Sequence, residues 1–277
     1  MPEGPEIRLA ADEISLVLKG RKTIAVFFAH ECLQKYEKKL TGLKVIDVQT
    51  RGKAMLTLFE DDWVVYSHNQ LYGRWLTINK GEIPDTNRQL RFAIHNRKAS
   101  ALLYSASDIE VLKSSQLHQH PFLARIGPDL LSETPSVTAL TDRLQEPRFR
   151  NKQLAGLLLD QSFVAGLGNY LRAEILLASG LHPVTKPSQC SRSMLRKLAT
   201  QIIRITQRSY KTKGIVNSPQ LVKMLKRSGK VTKESHRFSV YDRGGESCYH
   251  CPETIQRMNA GGRHIYFCPG CQPAIER

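Results

Sequence analysis

The chain has 277 residues, of which 41% are apolar and 24% charged, and this excludes both a small disulfide-stapled module and a mainly disordered chain. Lys and Arg number 41 against 25 Asp and Glu, and the resulting formal net charge of +16 predicts a polyanionic partner, most simply nucleic acid. No apolar run approaches the ~20 residues of a membrane span, and the first residues, MPEGPEIRLAADEI, are acidic where a signal peptide would be cationic and then apolar. We therefore expect a soluble intracellular protein.

The N-terminal part of the sequence predicts one helix followed by short strands. Apolar residues at spacings of three and four predict a helix from Pro5 to about Lys19, with Gly20 as its C-terminal stop. Beyond it, seven β-rich segments separated by polar or glycine-bearing turns predict a β-sandwich with the helix packed on it. The segments are Thr23–Ala29, Leu43–Val48, Ala54–Phe59, Trp63–His68, Arg74–Ile78, Arg91–His95 and Ala101–Tyr104.

After a proline-bounded connector, Pro121–Pro128, the pattern changes to helices, and from about Arg237 to short strands and turns around cysteines. The polar and basic stretch Lys211–Lys233 is expected to be the loosest segment. The fold class is therefore multidomain α+β, with a β-sandwich domain at 1–124, a linker at 125–134, a helical domain at 135–236 and a four-cysteine finger at 237–277. The helices are predicted at Pro135–Gln145, Asn151–Asp160, Asn169–Ala178, Ser191–Lys211 and Pro219–Arg227.

The positive charge is concentrated in the second half of the chain. Residues 1–124 hold 17 basic and 14 acidic residues, whereas residues 125–277 hold 24 and 11. Within Lys186–Arg237 there are 14 basic residues and a single acid, Glu234. A solvated basic surface is the alternative interpretation, but so large an imbalance favours contact with phosphates, which weakens steeply as salt is added.

Four of the six cysteines form two pairs, each separated by two residues, with sixteen residues between the pairs. Each pair can place two thiolates on one tight turn, and two such turns complete a tetrahedral four-sulfur site. This spacing predicts one structural zinc ion, since all four ligands come from the protein and no position remains for a catalytic water; iron in the same site and a redox dithiol are the alternatives. The predicted ligands are Cys248, Cys251, Cys268 and Cys271, and the remaining cysteines, Cys32 and Cys190, are expected to be buried thiols.

The N-terminus offers a nucleophile. Removal of the initiator Met leaves Pro2 with a secondary amine, and because an α-amino group titrates near ~8, a substantial fraction is unprotonated at neutral pH. Such an amine attacks a carbonyl carbon and gives an iminium. Glu3 and Glu6 place carboxyl groups close to it, where one can donate or shuttle a proton. The alternative is that the string only starts a helix, with its glutamates complementing the helix dipole.

The string MPEGPEI resembles the start of the formamidopyrimidine-DNA glycosylase/endonuclease VIII family. The β-rich half, the helical segment and the four-cysteine finger follow in that family's order, and only Thr212–His236 matches poorly. The resemblance implies base-excision repair, in which a damaged base is removed and the backbone is then cleaved by β,δ-elimination. It also implies a helix–two-turn–helix in the helical domain, and roles for Pro2 as the nucleophile at C1′ of the sugar, Glu3 as proton donor and Glu6 as an assisting acid.

Two further basic residues match functional positions of the family. Lys53, between two predicted strands and beside Arg51, would otherwise be read as solvated surface; the resemblance implies contact with the lesion-side backbone and proton donation during β-elimination. Arg263 stands five residues before Cys268, beside a glycine pair that predicts a hairpin tip. The resemblance implies that Arg263 grips phosphates flanking the lesion and donates a proton in δ-elimination. A guanidinium binds phosphate well but is a poor acid, which favours the first role.

The segment Gln70–Tyr72, here called the tip loop, joins two predicted strands. A hairpin turn explains Gly73 but leaves Leu71 and Tyr72 as large side chains on a loop. Flipping a base out of DNA leaves a gap in the stack, and apolar side chains fill such gaps in other DNA-bending proteins. The string Gln-Leu-Tyr resembles the void-filling loop of the endonuclease VIII branch, which implies oxidised pyrimidines as substrates.

The string GLGNY precedes an apolar helix, so Asn169 can be a helix cap, and the same helix start can hold a phosphate. The resemblance implies that Asn169 contacts a phosphate at the lesion. It also assigns a DNA contact to Arg125 and a supporting role near the active site to Glu174.

The sequence thus predicts a bifunctional DNA glycosylase and AP lyase that removes oxidised pyrimidines and leaves a one-nucleotide gap. The expected partner is damaged double-stranded DNA, without a membrane or a nucleotide cofactor. The expected protein is monomeric, bacterial, cytoplasmic and nucleoid-associated through its DNA binding. The alternatives are an oxidised-purine glycosylase of the same fold and a non-catalytic zinc-ribbon DNA-binding protein, which would leave Pro2–Glu3 and the tip loop as coincidences.

Overall fold

The computed structural model describes residues 2–229 and 236–274 of the chain. The chain divides into two units, Met1–Arg125 and Ile126–Arg277. The expected finer division, with a linker at 125–134 and a boundary before residue 237, stays a prediction.

In the first unit, the predicted N-terminal helix is present as α1, Gly4–Leu18. Its start is set by a reciprocal capping box, in which the Glu3 N–H donates to Oε2 of Glu6 at 2.9 Å and the Glu3 side chain accepts from the backbone N–H of Glu6. Apolar residues three and four apart give the helix one buried face, which packs on the strands that follow. The buried face consists of Ile7, Ala11, Ile14 and Leu18.

Two four-stranded antiparallel sheets form the predicted sandwich. One has the strand order β1-β6-β7-β5 and the other β2-β3-β4-β8, and buried residues of both sheets and of α1 form one apolar cluster. The second sheet carries the β2–β3 hairpin, whose turn holds Lys53, whereas the tip loop is not a hairpin turn and joins β4 of the second sheet to β5 of the first. The strands are β1 (Ala25–Phe28), β2 (Val45–Arg51), β3 (Ala54–Phe59), β4 (Trp63–His68), β5 (Arg74–Asn79), β6 (Leu90–His95), β7 (Ala99–Tyr104) and β8 (Asp108–Lys113).

The sandwich differs from the prediction in its last strand and in one connection. Strand β8 was not predicted, and it pairs along its whole length with β4, from Trp63 opposite Lys113 to His68 opposite Asp108. Two one-turn helices, α2 (Glu31–Gln34) and α3 (Glu37–Leu40), lie between β1 and β2. A 3₁₀ segment, Ser114–Gln119, follows β8.

The second unit is built on helices around a separate apolar core. Four of the five predicted helices are present over most of their length, and the fifth, expected at Asn151–Asp160, is reduced to the single turn α5. Helices α4 and α7 begin at serine N-caps whose hydroxyls accept a backbone N–H, as their sequences suggest. The helices are α4 (Val137–Leu144), α5 (Leu154–Leu157), α6 (Asn169–Ser179), α7 (Arg192–Lys211) and α8 (Pro219–Arg227).

A two-stranded antiparallel hairpin, β9 (Gln256–Ala260) and β10 (Arg263–Phe267), lies in the same unit, between the two cysteine pairs of the sequence. Of the stretch Lys211–Lys233 expected to be loose, residues 219–227 form α8, while 230–235 lie outside the described residues. The expectation that Cys32 and Cys190 are buried is wrong, because Cys32 is exposed and Cys190 half-buried. None of the helices described has both the length and the apolar character needed to cross a membrane.

Candidate active site

Pro2 immediately precedes the first turn of α1 and is half-buried. Glu3 is the N-cap residue and is only 2% exposed. The interpretation of this string as a helix start is therefore correct, and it is compatible with a chemical role, because the same cap fixes the Glu3 backbone next to Pro2. Glu6 holds the Glu3 N–H and so contributes to this geometry.

Lys53 lies in the two-residue turn of the β2–β3 hairpin, between the paired residues Arg51 and Ala54. Gly52 supplies the positive φ, +62°, that a turn of this kind requires. Lys53 is only 8% exposed, so the alternative of an ordinary solvated turn lysine is wrong. A lysine is seldom buried unless its ammonium group is paired or takes part in binding or catalysis. This burial therefore marks Lys53 as a functional candidate.

The tip loop follows β4 and projects its large side chains into solvent. Leu71 is 54% and Tyr72 68% exposed. The turn is closed by the Gly73 N–H, which donates to the carbonyl of Asn69 at 2.7 Å. A Cβ at Gly73 would lie 2.5 Å from that carbonyl oxygen, so only glycine fits there. Exposed apolar side chains on a tightly closed turn are suited to insertion into a partner.

Three side chains hold the tip loop, and the sequence reasoning identified none of them. The ring Nδ1 of His68 accepts the N–H of Gln70 at 3.0 Å. The hydroxyl of Ser107, before β8, donates to Oε1 of Gln70 at 2.9 Å. The guanidinium of Arg88, before β6, donates to the carbonyl of Tyr72 at 2.7 Å. The loop is thus held by residues from three separate parts of the chain, the end of β4 and the segments before β6 and β8.

A cluster of ionisable groups lies along β4 and β8, next to the tip loop. Burial lowers the pKa of His68 and raises the pKa of Asp108, the residue opposite it. Burial and the neighbouring carboxylates raise the pKa of Tyr66 above its usual range. His120 stacks on Tyr66 with ring centroids 4.2 Å apart, and its Nε2 lies 3.3 Å from Oε1 of Glu110. His68 is the member of this cluster that touches the tip loop.

In the second unit, the structure places Asn169 one residue further into the helix than expected. Gly168 is the N-cap of α6 and provides no side-chain hydrogen bond, so the interpretation of Asn169 as a cap is wrong. Asn169 is the first helical residue, and within the described part of the chain its buried Oδ1 has no hydrogen-bond partner. A helix start that lacks a side-chain cap leaves the positive end of its dipole open to an anion.

Arg263 is exposed and directly follows a two-residue turn, Gly261–Gly262, whose φ values of +62° and +73° require glycine. The backbone around it is held by Arg172 of α6, which is fully buried. The Arg172 guanidinium donates to the carbonyls of Ala260 at 3.0 Å and His264 at 3.0 Å. One buried side chain thus joins the helix of Asn169 to the strand of Arg263, which sequence reasoning missed.

Glu174 is buried, and three backbone N–H groups donate hydrogen bonds to its carboxylate. Its carboxylate accepts the backbone N–H groups of Ser239 at 3.0 Å, Val240 at 2.8 Å and Tyr241 at 2.8 Å. Burial raises the pKa of Glu174, against the lowering effect of these three donors. Glu174 therefore anchors the segment that follows residue 236, and any supporting role at the reaction would be exerted through that segment.

The four predicted cysteine ligands converge at the base of the β9–β10 hairpin. Their sulfurs all lie within 4.8 Å of one another, and three of the separations are 3.2, 3.6 and 3.9 Å. Tetrahedral zinc with ~2.3 Å bonds to sulfur requires separations of roughly 3.8 Å, so the set fits one zinc ion. The ligands are Cys248, Cys251, Cys268 and Cys271.

Two further observations support this fit. The backbone N–H of His250 points to Sγ of Cys248 at 3.4 Å. A Cβ at Gly270 would lie 3.1 Å from Sγ of Cys251, so the backbone of each cysteine turn lies close to a sulfur atom. Zinc in this position shapes the hairpin and has no open coordination site for a reactant.

Other cations lie on exposed surfaces. Arg125, at the end of the first unit, is exposed and donates from Nε to the carbonyl of Pro121 at 2.7 Å. Helix α7 buries its apolar face in the core and directs a basic face outward. The predicted contact with phosphates depends on this basic face. The exposed members of that face are Arg192, Arg196, Lys197, Arg204 and Lys211.

Comparisons with known proteins match both units. The Formamidopyrimidine-DNA glycosylase N-terminal domain matches residues 1–106, and the Formamidopyrimidine-DNA glycosylase H2TH domain matches residues 126–220. Endonuclease 8 of Shigella sonnei (strain Ss046) is 46% identical over 272 residues, covering 98% of this chain and 100% of the relative, and Endonuclease 8 of Escherichia coli (strain K12 / DH10B) matches equally. The solved complex of Lactococcus lactis Fpg with DNA containing an abasic site has a TM-score of 0.81 at 25% identity, covering 98% of this chain and 99% of that one.

Proposed function

The chain belongs to the formamidopyrimidine-DNA glycosylase family, and we propose that it excises oxidised pyrimidines from double-stranded DNA and then cleaves the backbone as an AP lyase. The observation that supports the substrate class is the tip loop, whose Leu71 and Tyr72 are exposed and are the proposed side chains that fill the gap left by an extruded base. Identity of 46% to Endonuclease 8 supports the same choice. The tip loop has no evident use in a zinc-ribbon protein that only binds DNA.

Pro2 is the proposed nucleophile. With Met1 removed, its nitrogen lone pair forms a bond to C1′ while the bond from C1′ to the damaged base breaks, and the departing base keeps the bonding electron pair and takes up the proton that the nitrogen loses. Glu3 donates a proton to the sugar ring oxygen, so that the ring opens and C1′ becomes an iminium. The position of Pro2 next to the N-cap of α1 favours the reactive amine, because the positive end of the helix dipole disfavours an ammonium group there.

The iminium acidifies the C2′ hydrogens. In β-elimination a C2′ proton passes to solvent water, a double bond forms between C2′ and C3′, and the 3′ phosphate oxygen is expelled and takes a proton from Lys53; a second elimination expels the 5′ phosphate oxygen. Both phosphates leave with their bonding electron pairs, and a one-nucleotide gap remains. The buried position of Lys53 supports a functional role, because lysine is rarely found buried and an ordinary surface lysine would be exposed.

The remaining assignments concern DNA contact. Asn169 at the start of α6 and Arg263 at the hairpin tip are the proposed phosphate ligands near the lesion, with Arg125 as a further contact. The zinc ion, when bound, supplies only the shape of the finger. We also propose that the protein acts as a cytoplasmic, nucleoid-associated monomer.

Borohydride reduction tests the nucleophile, because it converts the iminium to a stable covalent adduct. We expect the processed protein to be trapped on a duplex containing thymine glycol, and a variant with an uncleaved N-terminal extension not to be trapped. Full trapping of the extended variant would exclude Pro2. Intact mass supplies the control, since the active protein must lack Met1.

Comparing excision from duplexes with thymine glycol and with 8-oxoguanine tests the substrate class. Faster excision of thymine glycol supports the proposal, and the reverse order would assign the chain to oxidised purines. A protein that binds DNA but nicks no abasic site would instead be a non-catalytic zinc-ribbon protein.

A further inference from the structure

His68, which none of the assigned roles uses, makes a direct contact with the tip loop. It is the last residue of β4, and its Nδ1 accepts the backbone N–H of Gln70 at 3.0 Å. Gln70 has a φ of +50°, in the left-handed region that a non-glycine residue adopts only where its surroundings hold it. The bond from Gln70 to His68 is therefore one of the contacts that hold the tip loop in this shape.

The contact defines the protonation state of the ring. Because Nδ1 accepts a hydrogen bond it carries no proton, and the neutral ring holds its proton on Nε2. A protonated imidazolium donates from both nitrogens, so its Nδ1–H would face the N–H of Gln70 and the hydrogen bond would be lost.

The groups around His68 favour the neutral ring. Burial is the main cause that lowers the pKa of His68, and Lys53 lowers it further. Lys53 is near because its turn leads into Ala54, which is opposite His68 in the β3–β4 pair. Asp108, opposite His68 on β8, acts in the other direction, and the ring of Phe122, whose centroid lies 5.6 Å from that of His68, carries no charge.

We propose that His68 is a positioning residue for lesion excision, which holds the tip loop in its inserting shape only while its ring is neutral. The proposal rests on the proposed function of the tip loop as the element that fills the gap. Of the three side chains that hold the tip loop, those of His68, Ser107 and Arg88, His68 is the only imidazole, the side chain whose charge changes near neutral pH.

One consequence separates this role from a role in the chemistry. Extruding a base costs unstacking energy, and this cost is smaller where the base is already absent. Loss of the His68 contact should therefore slow excision of thymine glycol more than nicking of a preformed abasic site. A residue that acted through Lys53 would instead slow nicking as much as excision.

The experiment measures both single-turnover rates, on the full-length zinc-loaded protein, between pH 5.5 and 8. We expect His68→Ala to slow excision roughly two- to tenfold at pH 7.5, the effect of one hydrogen bond, and to leave nicking nearly unchanged. His68→Asn places an amide oxygen near the position of Nδ1 and does not titrate. It should restore most of the excision, and its ratio of excision to nicking should stay constant at acid pH, where the wild-type ratio falls.

His118→Ala is the matched control, because His118 is an exposed histidine of the same unit that lies outside the tip loop and is not one of the side chains hydrogen-bonded to it. Equal loss of excision and nicking in His68→Ala, or a wild-type ratio that does not change with pH, would overturn the role of His68. If His68→Ala does not fold, the pH profile of His68→Asn carries the test. A wild-type protein that nicks abasic sites but excises no thymine glycol would overturn the proposed substrate class as well, and so is distinguishable from failure at His68 alone.

Discussion

The guanidinium of Arg172 on helix α6 donates from Nη2 to the backbone carbonyl of His264 at 3.0 Å, the residue after Arg263. The same guanidinium donates from Nη1 to the carbonyls of Ala155 at 2.8 Å and Ala260 at 3.0 Å, in complete burial. A buried cation is tolerated only when such partners surround it. The proposed phosphate ligand Arg263 therefore depends on a residue that itself has no access to DNA.

Replacing Arg172 by Met should destabilise the second unit strongly. The change removes the donor to several buried carbonyls, and we expect the free energy of unfolding of this unit to fall by about 3 kcal/mol. Thermal unfolding and the rate of zinc release report the effect. Arg192→Met is the control, because the exposed pair of Arg192 with Asp142 at 2.9 Å should contribute little. Equal melting temperatures for the two variants would contradict the assignment of Arg172.

Replacing Gly73 by Ala should damage excision and spare folding. The new Cβ would meet the Asn69 carbonyl oxygen at 2.5 Å and force the turn of the tip loop open. We expect excision of thymine glycol to fall at least tenfold, with a much smaller loss of nicking at abasic sites. Gly81→Ala provides the comparison, because a Cβ there meets nothing within 4 Å, although its φ of +88° adds some strain. An unchanged excision rate in Gly73→Ala would show that the shape of the tip loop is not required.

Removing zinc should disorder the β9–β10 hairpin and weaken DNA binding. One zinc per chain is expected by elemental analysis, and Cys268→Ser should lose it, because Cys268 is a buried member of the four-sulfur set. The affinity for an abasic-site duplex then falls as the backbone around Arg263 loses its support. Cys32→Ser, at an exposed cysteine outside the set, should retain both the metal and the affinity. Full affinity in the metal-free Cys268→Ser variant would show that the finger is dispensable.

Stability should fall as the pH is lowered below about 6.5. Burial lowers the pKa of His68, His95 and His182, so each binds a proton more readily in the unfolded chain than in the folded one. Their contribution is complete above the unfolded value and is lost as the pH falls towards the folded one. Melting temperatures at pH 8 and pH 5.5 measure the drop, which His95→Gln should reduce and the exposed-site variant His118→Gln should not. A larger drop in His95→Gln would reverse the predicted sign.

Secondary structure was predictable where local signals agreed. Strands β3 and β4 have the predicted bounds, because polar turns delimit both, and α8 begins at a serine cap followed by proline. Strand β8 was missed because it begins with a charged residue and depends on pairing with β4, some forty residues earlier in the chain. At Asn151–Asp160 tertiary contacts reduced a predicted helix to the single turn α5.

Some residues of the candidate site could likewise be predicted from the sequence, and others could not. Spacing alone predicted the cysteine ligand set that the structure brings together, whereas the assignments of Pro2, Glu3 and the tip loop depend on the family resemblance and stay predictions. The partners of Arg172 are between 17 and 92 residues away in sequence, so an apolar helix pattern around it could not reveal that its guanidinium is buried. His68 stands two residues before Gln70 in the sequence, but its role as an acceptor depends on the folded turn.

The way in which the tip loop is held also limits how its lesion preference can be engineered. Transplanting another gap-filling tripeptide onto β4 would replace the inserting side chains but leave His68, Ser107 and Arg88 adjusted to the original backbone. A graft that carries these three supporting positions along with the tripeptide should transfer the new preference. A graft of the tripeptide alone should yield an enzyme that still cuts abasic DNA and is poor at finding damaged bases.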